Sequence, residues 1–250
     1  MKLIPAISLG LVLTVAAASG LATPARAADE AKDKPAAKLK KNQTWVAPDW
    51  EARAIRSIAV APMRSVDRNA EAEALARKGL EAALAGKPYR FRPAQTFMES
   101  VKRGNAEPAW TAASAAAAKS APFDTTSAST LKTALTSDAV LVATVTNWTR
   151  YVVDEQTRGA SFTQVGVDLA MYSLADGALV WRGSFVEKGD GPYNEPVSGD
   201  ATQRDPSGYN TGRKAALEPP LYEEVIEKLM TRVASSLPKP APAAASPAKS

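Results

Sequence analysis

Phe162–Leu174 reads FTQVGVDLAMYSL, Ala175-Asp176-Gly177 follows, and Ala178–Glu187 reads ALVWRGSFVE. In the first run Val165, Val167, Leu169 and Met171 alternate with Gln164, Asp168 and Tyr172. A period of two with one apolar set is the mark of a half-buried antiparallel strand. An Asp-Gly break between two such runs is a hairpin signal. The apolar pattern also selects its register. A two-residue Asp-Gly loop would set Asp168 against Phe185 and Met171 against Arg182. A three-residue loop sets Met171 against Trp181 and Val167 against Phe185, so that one face stays apolar throughout. The expectation is therefore a loop of Ala175-Asp176-Gly177 with Gly177 at positive φ.

Working outward, Ala139–Val152 (AVLVATVTNWTRYV) supplies a third strand before the hairpin. Further upstream, Ile55–Met63 is a short apolar run closed by Pro62 and predicts a buried strand. Asn69–Ala85 carries Ala72, Leu75, Ala76, Leu80 and Ala83 on one helical stripe, with Glu71 and Glu73 near its start and Gly86 as its stop. Tyr89–Arg92 (YRFR) is a brief strand, and Pro93 opens a helix to about Lys102. Thr111–Lys119 (TAASAAAAK) has high helix propensity but no large apolar anchor, which leaves a short helix and a mobile connection as alternatives. Ser127 is placed to cap a helix over 128–137. A last helix runs from Pro219-Pro220 to about Ser236, with Leu221, Val225, Leu229 and Val233 on one stripe and Pro238 forbidding continuation. This order predicts an α/β (α+β) domain: a mixed sheet with an antiparallel C-terminal three-strand meander and helices packed on it.

Neither end belongs to that domain. Met1-Lys2, an apolar run from Leu3 to about Ala18, and Ala25-Arg26-Ala27 before Ala28 make the three-part layout of a secretory signal peptide over 1–27. Cleavage is expected between Ala27 and Ala28. The run is short and alanine-rich for a membrane span of about 20 residues, although a retained anchor is the rival reading. Residues 28–44 (ADEAKDKPAAKLKKNQT) read as a flexible basic linker, and 238–250 (PKPAPAAASPAKS) as a disordered Pro/Ala-rich tail. Between them, 45–237 is expected to be a single domain with a long loop over 189–218. These signals point to an exported, periplasmic protein.

The chain holds 31 Lys+Arg against 26 Asp+Glu, a formal net charge of +5. Most of that excess sits in the two ends. Residues 45–237 carry 22 basic and 23 acidic side chains, so the folded part lacks the basic face of a nucleic-acid reader. The lysines of 28–44 are compatible with peripheral attraction to an anionic membrane surface, without a lipid anchor. There is no cysteine and no histidine. Disulfides, thiol nucleophiles and the commonest general base and metal ligand are thereby excluded. No catalytic, cofactor or metal constellation stands out among the remaining carboxylates, lysines and hydroxyls.

Several phrases resemble a known group of proteins. They are Ile58-Ala59-Val60-Ala61-Pro62-Met63, the run Ser137-Asp138-Ala139-Val140-Leu141-Val142 continued by Thr144-Val145-Thr146-Asn147-Trp148, and the hairpin Asp176-Gly177-Ala178-Leu179-Val180-Trp181. Together these are similar to envelope proteins and outer-membrane lipoproteins with a TolB-N-terminal-like or CsgG-like α/β domain, over about 55–187 and the final helix. The lipobox cysteine of those lipoproteins is missing here. The resemblance implies an accessory or scaffold role in the cell envelope through contacts with other envelope proteins, oligomers included, and no reaction.

Candidate sites follow from residue type and placement. Trp148, Tyr151, Tyr172 and Trp181 gather aromatic rings in the three-strand region, where they serve either as core or as interface anchors. Tyr193 and Tyr209 are expected to pack the long loop back on the body. The candidate interaction surface is therefore Trp148, Tyr151, Tyr193 and Tyr209. Asp168 and Glu187 are the carboxylates of an alternative reading, a hydrolase acting on envelope glycans, and that reading requires them to converge in a cleft. Asp190, Asn194, Asp200 and Asp205 are oxygen ligands without EF-hand spacing. Gly208–Lys214 departs from a phosphate loop in glycine spacing, in Arg213, and in Ala215 where a hydroxyl is needed.

Overall fold

The computed structural model describes residues 39–154, 157–194 and 217–240. In chain order the elements are β1 (Gln43–Val46), β2 (Ser57–Val60), β3 (Arg64–Ser65), α1 (Ala70–Leu84), β4 (Arg90–Arg92), α2 (Ala94–Arg103), α3 (Glu107–Ala118), α4 (Thr125–Leu135), β5 (Ala139–Tyr151), β6 (Gly159–Ser173), β7 (Leu179–Asn194) and α5 (Tyr222–Ser236). The strands form one sheet in the order β1-β7-β6-β5-β2-β4, with β3 also beside β5. The strands β1, β7, β6 and β5 pair antiparallel. The strands β2, β3 and β4 enter in parallel. This is the mixed sheet the sequence predicts, with two strands more than its reading supplies: β1 and β3.

Each helix forms for a local reason. Asn69 caps α1, its side chain accepting from the backbone N–H groups of Glu71 and Ala72. The stripe Ala72, Ala76, Leu80 and Leu84 is buried against the sheet. Pro93 sets the extended backbone that opens α2, which buries Phe97 and Val101. The open stretch resolves as a helix: α3 starts at Glu107, and its anchor is Trp110, which packs edge-on against Phe97 at 4.8 Å between ring centroids. Helix α4 starts earlier than expected. Asp124, rather than Ser127, is the cap, its carboxylate accepting from the Ser127 N–H at 2.8 Å. An ionised cap beside the helix N-terminus is favoured by both the free N–H groups and the dipole.

The helices cover both faces. On one, α1 and α5 bury Ile58, Val60, Leu141, Val145, Val165, Val167, Leu169, Met171, Trp181 and Phe185. On the other, α2, α3 and α4 bury Ala59, Ala61, Val140, Ala170, Tyr172 and Leu174. The half-buried expectation for β6 therefore needs correction. At its C-terminal end Ala170, Tyr172 and Leu174 of the second set are buried too, Tyr172 completely, because three helices cross that part of the sheet, while Gln164 and Asp168 stay part-exposed as expected. At roughly 25 cal/mol per Å² of apolar surface, each such side chain contributes about 2 kcal/mol.

The hairpin register is the one selected from the apolar pattern. Val167 lies opposite Phe185 and Met171 opposite Trp181, but one irregularity then sets Tyr172 opposite Leu179 and Ser173 against Ala178, so the loop is the four residues Leu174–Gly177 and not the expected three. Gly177 has φ +75°. Asp176 fastens the turn. Its carboxylate accepts from Arg53 Nη1 at 2.8 and 2.7 Å and from the Ala178 N–H at 3.2 Å.

Three boundaries move. Strand β7 continues through Gly189–Asn194, paired with the first residues of β6, so the stretch read as the start of a long loop is strand; residues 195–216 lie outside those described. Gln43 and Thr44, read as the end of the linker, belong to β1 and pair with Ser184 and Gly183. Pro238, Lys239 and Pro240 lie against the body, with the Pro238 and Lys239 carbonyls accepting side-chain hydrogen bonds. The signal peptide over 1–27, with Ala27 and Ala28, lies outside the described residues. Among the described residues no helix is long and apolar enough to cross a membrane.

Candidate functional site

Strands β5, β6 and β7 run on past the helices that cover the α2–α4 face. The register lays the side chains there in rows across the sheet. Arg64, Thr144, Asp168, Ser184 and Gln43 share one row, and Thr149, Gln164 and Lys188 another. Tyr151, Phe162 and Asp190 form the outermost. A bulge marks the middle of this stretch: Thr146 and Asn147 together oppose Gly166. A side chain at 166 would crowd both, since a Cβ there would lie 2.9 Å from Thr146 Oγ1 and 3.0 Å from Asn147 Cβ. The bulge bends β5 and increases the local twist.

Where the helices stop, a cleft of about 370 Å³ opens between the sheet and α3, lined by Arg64, Thr144, Asp168, Arg182, Trp110 and Ser114, among others. Asp168 points into it. Glu187 does not: it sits opposite Val165, whose side chain is buried under α5, and its carboxylate pairs with Arg232 of α5 at 2.5 Å. The two carboxylates of the hydrolase reading therefore face opposite sides of the sheet. Among the described residues no group of three or more acidic side chains is placed to hold a metal ion. Asp190 pairs with Lys188. The buried Asn194 donates from Nδ2 to the carbonyls of Asp154 and Thr157 at 3.1 and 3.0 Å. Asp200, Asp205 and Gly208–Lys214 lie outside the described residues.

The aromatic candidates separate. Trp148 is half-buried and stacks on Tyr222 of α5, with centroids 4.0 Å apart and ring planes 11° from parallel. It belongs to the packing under α5. Tyr151 lies on the other side of the sheet, 44% exposed, its ring 5.4 Å from that of Phe162. Lys188 Nζ sits 4.6 Å over the Phe162 ring, a cation–π contact. Tyr193, 59% exposed, accepts a hydrogen bond from Arg158 Nε at 3.1 Å. The neighbouring Val152 is 51% exposed. Tyr209 lies outside the described residues. Sequence reasoning missed Phe162 as a member of this surface, although its place opposite Tyr151 follows once β5 and β6 are paired.

An unpaired strand edge adjoins the surface. Strand β1 covers β7 over Trp181–Ser184, and the Asn42 side chain accepts the next outward N–H, that of Val186, at 2.9 Å. Beyond Val186 no described strand pairs with the outer edge of β7. Lys188 stands on that edge, where a charge discourages indiscriminate pairing.

No family model matches the chain, and no curated protein matches it in sequence. Several solved structures are similar to it in part. Lipoprotein GNA1162 from Neisseria meningitidis superposes with a TM-score of 0.40 at 18% identity, covering 64% of this chain and 90% of that one. The PelC dodecamer from Paraburkholderia phytofirmans gives 0.30 at 15% identity, covering 76% and 94%. The LpoB C-terminal domain from Salmonella enterica gives 0.31 at 12%, covering 52% and 81%. The likeness is one of α/β layout. At these identities and TM-scores it carries no argument about what the chain does.

Proposed function

We propose that this chain is a non-enzymatic accessory or scaffold protein of the cell envelope, exported to the periplasm, which docks on another envelope protein through the projecting end of its three-strand meander. The observation that carries this reading is the exposed Tyr151 ring on Phe162, with the exposed Tyr193 opposite Ala160 of the same strand, beside a stretch of the β7 edge that no described strand pairs. Exposed tyrosines on a rigid sheet supply large contact area at small entropic cost and dominate interface energetics. The adjoining edge offers backbone N–H and C=O groups to an added strand. The signal-peptide layout of 1–27 and the resemblance to TolB-N-terminal-like and CsgG-like envelope proteins support the location. The opposed directions of Asp168 and Glu187 remove the pair on which the hydrolase reading rested.

The test is photocrosslinking from positions 151 and 193 in envelope fractions, compared with recovery by the double variant Tyr151→Ser/Tyr193→Ser. Both side chains are exposed, so the melting temperature should move by no more than about 2–3 °C. Recovery of the crosslinked partner should fall at least tenfold. Equal recovery with wild type and variant would overturn the reading. A crosslink to a second copy of the chain would identify the partner as itself.

A further inference from the structure

Helix α5 ends at Ser236, and Leu237 leaves it with φ −63° and ψ 134°, close to polyproline II geometry. The sequence then reads Pro238-Lys239-Pro240. Prolines 238 and 240 have no N–H, so this stretch cannot continue a helix or donate as a regular strand; its carbonyls are what it offers. Two side chains take them in succession. Tyr89 Oη donates to the Pro238 carbonyl at 2.6 Å, and Trp50 Nε1 donates to the Lys239 carbonyl at 3.1 Å. Both donors are built into the body. Trp50 is 5% exposed, just before a 3₁₀ turn over Glu51–Arg53, and Tyr89 is 6% exposed, just before β4 and edge-on to Phe91. The two prolines are half-buried and Lys239 points to solvent.

We propose that Trp50 and Tyr89 form a clamp that recognises an extended, proline-bearing peptide by its successive carbonyls, and that Pro238–Pro240 is its resident ligand in cis. The chemistry is that of proline-rich recognition generally. A preformed polyproline II segment loses little entropy on docking, aromatic side chains hold its rings, and donor-only or hydroxyl groups meet its carbonyls. Trp50 Nε1–H and Tyr89 Oη–H each give their hydrogen bond to this segment, so the site favours an occupant that brings two carbonyls at the same spacing. Because the resident segment is tethered directly to α5, it outcompetes free peptide through its effective concentration. The clamp therefore opens to a second proline-rich segment only when its own tail is withdrawn.

The test uses the full chain carrying Pro238→Ala and Pro240→Ala. Without those prolines α5 is free to run on past Leu237, which draws the two carbonyls away from their donors. The Trp50 indole N–H resonance should then shift. A synthetic peptide with the sequence of 238–250 should restore it, with a dissociation constant roughly in the millimolar range expected of a short peptide. The same peptide with every proline changed to alanine should not. Adding Tyr89→Phe should weaken the restoring peptide about fivefold, the weight of one ordinary hydrogen bond. Failure of the proline peptide to restore the resonance, or equal restoration by the alanine peptide, would overturn the proposal. If the double variant does not fold, the single variant Pro240→Ala takes its place with the same two peptides, and the same outcomes decide.

Discussion

Gly177 is the residue on which the hairpin turns. Its φ of +75° is strained for a β-branched side chain, and a Cβ there would overlap the Phe123 carbonyl, whose own N–H donates to the Gly177 carbonyl at 3.1 Å. Gly177→Val is expected to cost about 3 kcal/mol or more in urea unfolding, because backbone strain and overlap act together. Tyr172 makes the opposite case. Its hydroxyl is buried with no hydrogen-bond partner among the described residues, and burial pushes it up to about 12, with Arg182 pulling slightly the other way. Tyr172→Phe removes a donor that folding desolvates for nothing, so stability should stay level or rise by up to about 1 kcal/mol; a marked loss would reveal a hidden partner. Asp138 titrates to effect. Burial raises its pKa, but hydrogen bonds from Ser57 Oγ and the N–H groups of Arg56 and Ser57, with the charge of Lys132, outweigh it and hold the carboxyl below 3.8. A depressed folded pKa means stability that is present above the unfolded value and lost as pH falls through the folded one. Unfolding free energy should therefore drop as the pH is lowered below about 4, and Asp138→Asn should flatten that part of the profile. An unchanged profile would assign the acid sensitivity elsewhere.

At the scale of elements, β1 is a small strand with a large task. It closes the β7 edge beside Trp181 and Phe185, two of the main core rings. A chain shortened to begin at Leu39 keeps it, whereas one beginning at Ala47 loses it. The second should be less stable by several kcal/mol and should self-associate, as a bared apolar edge does; equal stability of the two would show that β1 is dispensable. This strand was hard to read from the sequence, since Gln43 and Thr44 continue a lysine-rich stretch and its four residues carry no burial pattern of their own. It exists because β7 offers a partner. The strands β5, β6 and β7 were legible because their apolar alternation is long enough to fix both type and register. Helix α3 was ambiguous for a local reason: its anchor, Trp110, falls one residue before the alanine-rich window that suggested it. Asp124 was missed as a cap because Ser127 fits the same rule three residues later, and only the geometry shows which of them meets a free N–H.

For the whole molecule, a mixed sheet with helices packed on it followed from the order of elements, but the cover on both faces did not, nor did the site. Which of Trp148 and Tyr151 meets solvent depends on where α5 lies, and no local pattern encodes that. The pairing of Tyr151 with Phe162 depends on a bulge at Thr146–Asn147 that shifts parity, and a sequence period cannot show it. The closure of the sheet carries a kinetic consequence as well. Strand β1 is among the first parts of the domain to leave the ribosome, and its partner β7 lies about 140 residues further on. That contact closes a very long loop, so the entropy of closure must be met before the pairing returns anything. As the chain folds, the long hairpin of β6 and β7 therefore forms with one flank bare, and the waiting N-terminal segment is the only stretch of the described chain that pairs there. Completion of the fold is timed by the arrival of its end, and a chain stalled before β7 holds a spare strand with nothing to bind.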